Sequence, residues 1–207
     1  MDIFEKIKKG IPKSIVIPAE LKKLCEWTEK NGYPISGCFE LRADDGKTKA
    51  MEYWCGVDMS DRFGLFGAGA CGDIYAFWIN DKGNQKIIHL GSEGNAVYIL
   101  ADNFIDFLRL LAIGYDEIGF ADIDKTVEEW NIERAMGHFH FIGNKSISIS
   151  QIIEKLGEEI KEGINKDFQI WVELEFGVKI PKRGNEITDF NNKEFDNWIE
   201  KQIKKYS

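Results

Sequence analysis

Gly67-Ala68-Gly69-Ala70-Cys71-Gly72 spells G-x-G-x-x-G, and Glu93 follows at about 20 residues, as in a dinucleotide fingerprint. That chemistry needs the third glycine to open a helix whose N-terminus faces the pyrophosphate. Here the next residues are DIYAFWIN (73–80), which read as a strand. A kinase glycine loop does run from strand to strand, and Lys86 stands where its lysine could be. No H-R-D or D-F-G follows, and the chain is too short for that fold. The glycines therefore predict a turn or bulge that needs backbone freedom.

The three histidines are His89, His138 and His140. If HFHF (138–141) is a strand, His138 and His140 share one face and form half of a metal site, with no third ligand indicated. Structural or surface roles are the simpler expectation. The cysteines stand at 25, 38, 55 and 71, with no C-x-x-C among them, which predicts reduced thiols in or near the core. No G-x-S-x-G or H-E-x-x-H occurs, and the many acids offer no fixed pair for a glycosidase-type dyad. The residues thus point to no catalysis, no cofactor and no metal.

Turn-linked strands dominate the middle of the chain. CFELRA (38–43), EYWCGV (52–57), FGLFGAG (63–69), DIYAFWIN (73–80), KIIHLG (86–91) and AVYIL (96–100) are rich in β-branched and aromatic residues. Short turns such as Asp81-Lys82-Gly83-Asn84 imply antiparallel neighbours, so a meander of five or six strands is predicted. Before it, residues 2–9 form a short helix candidate. A stronger one runs over 18–31, with Leu21, Leu24, Cys25 and Thr28 on one face and Gly32 to stop it. After the sheet, residues 102–114 read as a helix with Asp102 as its N-cap and Phe104, Phe107, Leu108 and Leu111 as its apolar face. Residues 115–145 read as less regular, and 150–162 as helical again.

The tail holds a short repeat. NKDFQIWV (165–172) and NKEFDNWI (192–199) share N-K-acid-F-x-x-W-branched. The first copy, read through IWVELEF (170–176), alternates like a strand. In the second, Phe195, Trp198, Ile199 and Ile203 fall at helical spacing, so both copies are predicted to start helices. Each should bury its tryptophan, Trp171 and Trp198. The whole is α+β: an antiparallel meander with helices packed on it over 1–145, and a C-terminal helical extension, 146–207, on the same domain.

The 207 residues carry a net charge of −8, which argues against a general nucleic-acid binder. The charge is uneven: residues 93–134 hold ten acidic and three basic side chains. The N-terminus, MDIFEKIKKG, mixes acids and lysines where a signal peptide needs an apolar run, and no stretch is long enough for a membrane span. A cytoplasmic chain is expected, with no nucleic-acid or membrane partner.

The order of these features resembles the SUKH superfamily, which includes yeast cell-wall-synthesis regulators and many bacterial proteins. The resemblance is carried by W-x-E-K-N-G (27–32), the meander, IIHLGSEG (87–94), one further strand and ADNFIDFLRLLAIG (101–114). FQIWVELEFGVKIP (168–181) and FDNWIEKQ (195–202) are similar to the extension of bacterial members. The resemblance implies binding rather than catalysis: an immunity protein that neutralises a cognate toxin, often a nuclease, encoded by a neighbouring gene. A basic, phosphate-holding site would attract an acidic patch and be occluded by it. Asp102, Asp106, Asp116, Glu117, Asp122 and Asp124 are the first candidates for that surface. The alternative is a scaffold or regulatory interaction module without a toxin partner.

Overall fold

The computed structural model describes residues 2–44, 60–70, 72–92, 97–141 and 147–206. The strand expected at 52–57, Cys55, Cys71, Glu93 and the boundary at 145/146 lie outside them. The fold is α+β. Five strands, β1 (Glu40–Leu41), β2 (Phe63–Ala68), β3 (Ile74–Ile79), β4 (Gln85–Leu90) and β5 (Tyr98–Ala101), pair antiparallel in chain order. Helices α1 (Ile3–Gly10) and α2 (Ala19–Asn31) precede the sheet. Helices α3 (Phe104–Ile113), α4 (Val127–Phe141), α5 (Ile149–Leu156), α6 (Lys166–Phe176) and α7 (Glu194–Tyr206) follow it. No helix among the described residues is long and apolar enough to cross a membrane.

The sheet is covered on both faces, so its strands read as continuous apolar runs. Tyr75, Phe77 and Ile87 join one core with Leu21, Leu24 and Trp27 of α2, Phe104, Phe107 and Leu108 of α3, and Phe168 and Val172 of α6. Ala76, Trp78, Ile88, Leu90 and Ile99 point the other way and join Phe63, Phe195 and Trp198. Among the described residues, the only helix in that second core is α7. Two bulges adjust the outer strands: register slips between Leu65 and Gly67 in β2, and opposite Ile87 and Ile88 in β5. At Gly67 a Cβ would stand 2.4 Å from Cε2 of Phe39, so only glycine lets that ring pack there.

Four expectations need correction. The first strand is two residues long rather than six, because the Cys38 amide donates to the Asp116 carbonyl and the Phe39 amide turns back to Ser36. Asp102 does not cap α3; Asn103 does, its side chain accepting from the Asp106 amide at 2.9 Å. Residues 127–141 form α4, the longest helix of the described residues, instead of irregular chain. Both tail repeats do open helices, with Asn165 accepting from the Phe168 amide and Asn192 from the Glu194 amide, but only one tryptophan is fully enclosed: Trp198 is 7% exposed, whereas Trp171 is half-buried.

Candidate partner surface and the carboxylates beside it

The expected partner acids come from two ends of α3. Its ten residues span about 15 Å. At the N-terminal end, Asp102 lies 2.8 Å from Lys86 Nζ and Asp106 lies 2.7 Å from Arg109 Nη1. Beyond the C-terminal end, Gly114 in the left-handed region (φ 97°) turns the chain into the segment that carries the other four. Tyr115 anchors this segment: buried, it donates to the Lys125 carbonyl at 2.5 Å and accepts from the Gly184 amide at 3.1 Å.

On that frame, Asp116 takes two partners, the Cys38 thiol at 3.1 Å and Arg134 Nη1 of α4 at 3.2 Å. Asp122 pairs with Lys125 at 2.6 Å, and that amine holds the Asp122 carboxyl below its usual range. Asp124 accepts from Asn185 Nδ2 at 2.6 Å. Glu117 faces inward and accepts from the Ala70 amide at 2.7 Å. The six therefore form two groups, and the segment's own three cations each pair with an acid of that segment. These pairs are partly exposed and screened by water, so each contributes little.

A groove of about 460 Å³ adjoins Asp116 and is lined also by Cys38, Glu162, Lys166 and Asp167. Three carboxylates against one amine give it an acidic lining, and a second groove of about 350 Å³ is lined by Asp122, Asp124 and Asp189 without an amine. Glu162 and Asp167 are exposed and come from the tail, outside the acidic segment that sequence reading singled out. No linear charge count could find them, because the chain returns to this place after α5. The Cys38 thiol is pushed up to about 12 by burial and by its bond to Asp116, so it stays protonated at neutral pH and is no thiolate nucleophile.

Behind Glu117 lies a buried polar cluster that sequence reading missed. Asp73 and His89, both fully enclosed, stand 3.6 Å apart (Oδ2 to Nε2). Asp73 Oδ1 accepts from the Ser92 amide at 2.9 Å, and its carbonyl accepts from the Gly69 amide at 3.0 Å. Gly119 lies on the His89 ring: a Cβ there would sit 2.0 Å from Cε1. The signal was available, since His89 interrupts an apolar strand at an inward position, two residues from Ile87. An Asp–His pair can orient a general base, but this imidazole is sealed beneath Gly119 and the Tyr75 ring, 5.2 Å away.

The expected histidine half-site does not form. Positions 138 and 140 lie on α4, and two residues on a helix are about 200° apart around its axis. Among the described residues, no group of three or more His, Cys, Asp or Glu side chains is arranged to hold a metal ion. The glycine fingerprint spans the β2–β3 connection, with Gly72 at φ 83° and a strand after it, so it presents no helix N-terminus to a phosphate. No family model, curated protein or solved structure matches the chain.

Proposed function

We propose that this chain is a non-catalytic protein-binding domain, an immunity-type protein that neutralises a cognate, basic toxin domain in the cytoplasm. The observation that carries the reading is the acidic groove formed by Asp116, Glu162 and Asp167 beside the rigid Tyr115 anchor. A concave site with a surplus of one sign concentrates its field and speeds the approach of an oppositely charged partner. The similarity to SUKH proteins supports the same reading. Asp122 and Asp124 line a separate acidic groove with Asp189, whereas Asp102 and Asp106 lie at the N-terminal end of α3. A scaffold or regulatory module without a toxin would use the same groove for another basic partner.

The test is co-purification of the full chain with the product of the neighbouring gene, followed by association kinetics at two salt concentrations. Glu162→Lys with Asp167→Lys is the informative double variant, because both side chains are exposed and the fold should change by no more than about 0.5 kcal/mol. Association is expected to slow at least tenfold at low salt and to lose most of its salt dependence, since exposed charges are screened over about 8–10 Å at physiological salt. Unchanged association and unchanged protection would overturn the reading.

A further inference from the structure

Three carboxyl groups, Asp73, Asp116 and Glu117, meet at the end of the sheet where the β2–β3 connection passes the 115–120 segment. Asp116 has Arg134 against it. Among the described residues Glu117 has no cation in contact, only the Ala70 amide at 2.7 Å on Oε1. Its Oε2 is buried and accepts no hydrogen bond from them, and Asp73 Oδ2 has only His89 Nε2 near it, at 3.6 Å. A buried ionised oxygen without a donor is costly, and two of them in one enclosed cluster add mutual repulsion. A proton on Glu117 removes that charge while leaving a carbonyl oxygen to accept from Ala70.

We propose that Glu117 is a proton-operated latch that holds the 69–70 backbone against the 115–120 segment and closes more firmly as pH falls. The groups that face it are Asp73 before β3, Tyr75 of β3, His89 of β4, Cys38 before β1, its neighbour Asp116 and Arg134 of α4. Burial raises the Glu117 carboxyl most; the Ala70 amide, next in size, pulls it down, Asp73 and Asp116 add to the rise and Arg134 opposes it, and the balance lies above the usual carboxylate range. When the latch opens, Glu117 meets water and returns to about 4.3. The closed form thus binds the proton more tightly than the open form. Latch stability is complete below about 4.3 and is lost as pH rises through the raised value of the closed form. Gly69 is part of the device, since a Cβ there would lie 2.9 Å from Glu117 Oε2 and hold the connection away.

The device is independent of any partner, so it can be tested on the free chain. Amide hydrogen exchange of Ala70, corrected for the intrinsic pH dependence, is followed from pH 4 to 8, with the Phe77 amide of central β3 as the reporter of global opening. Protection of Ala70 should rise by up to about tenfold per pH unit on acidification within the window, while staying below that of Phe77, which opens only globally. Glu117→Gln, a neutral mimic with the same acceptor, should keep high protection that is flat with pH. Glu117→Ala should lose protection throughout. If Glu117→Gln keeps the parent's pH profile, the titrating group is another one and the proposal fails. It also fails if the parent's Ala70 protection is flat, or equals that of Phe77 at every pH, since the 69–70 backbone would then open only with the whole fold.

Discussion

The two copies of the tail repeat carry nearly the same local signals to opposite sides of one sheet. In each, an Asn side chain accepts a backbone amide at the helix start, and a phenylalanine four positions into the repeat is fully buried: Phe168 and Phe195. Their surroundings then diverge. Helix α6 lies against other helices, and Trp171 fills a gap between Trp27, at 5.8 Å, and Phe176, at 5.4 Å. Helix α7 lies directly on strands, and Trp198 meets Trp78 at 5.3 Å and Phe63 at 5.9 Å. The repeat specifies where a helix begins and which residue anchors it. The surface it lands on decides how much each tryptophan contributes.

The largest effect should therefore separate the two tryptophans. Trp198→Ala opens a cavity in a core to which, among the described residues, no other helix contributes, and should cost about 3–5 kcal/mol. Trp171→Ala removes a half-buried ring at the margin of a larger core and should cost about 1–2 kcal/mol. Urea denaturation of both variants measures the difference. Equal losses would mean that the two docking sites are equivalent and that covering the second face has no special weight. A 3–5 kcal/mol loss would remove much of a domain's ordinary stability of about 5–15 kcal/mol.

A middle-sized effect should come from Asp81, which serves only the second copy. From the β3–β4 turn it accepts Trp198 Nε1 at 3.0 Å and Lys201 Nζ at 2.9 Å, with Gln202 Nε2 at 3.3 Å. The Lys201 bond, then the Trp198 bond, hold its carboxyl below the usual range. Asp81→Asn should cost about 1 kcal/mol, kept small by partial exposure. The sign is fixed: with the folded value lowered, the ionised group stabilises the protein above about 3.9, and this contribution is lost as pH falls through the folded value. Denaturation of parent and variant at pH 7 and at pH 3 should show the gap narrowing at the lower pH. A gap of equal size at both would remove Asp81's charge from the account.

The same comparison shows what sequence could and could not reveal. The meander was legible because each strand is a dense apolar run closed by a turn, and because consecutive strands pair. Both tail helices were legible only by comparing the copies, since alternation in IWVELEF alone favours a strand. Helix α4 was not legible: Trp130 and Val127 reach the main core, but beyond them its exposed residues mix with Phe139 and Phe141 and give no steady stripe. The partner groove was half legible. Asp116 stood out in the acidic segment, while Glu162 and Asp167 join it only through tertiary return of the chain. The Asp73–His89–Glu117 cluster depends on three separate elements meeting, which no local pattern encodes.

The smallest effects should distinguish the ion pairs that tie the two copies down. Lys86 reaches from β4 to Glu194 of α7 at 2.9 Å and to Asp102 at 2.8 Å, with only 17% of its side chain exposed. Lys23 reaches from α2 to Glu175 of α6 at 2.6 Å, with 46% exposed, and its Nζ lies 5.5 Å from the centre of the Phe176 ring. Removing the enclosed lysine leaves two carboxylates near each other and also takes away a largely buried stem, a packing loss that salt does not screen. The open lysine leaves one carboxylate that water can solvate at once. Lys86→Ala should lower the urea midpoint clearly and keep most of the effect in 0.5 M salt (about a 4–5 Å screening length). Lys23→Ala should shift the midpoint little, and salt should erase what shift there is. The reverse ranking would mean that α6, rather than α7, depends on charge for its place, and the contrast between the two copies would have to be drawn from packing alone.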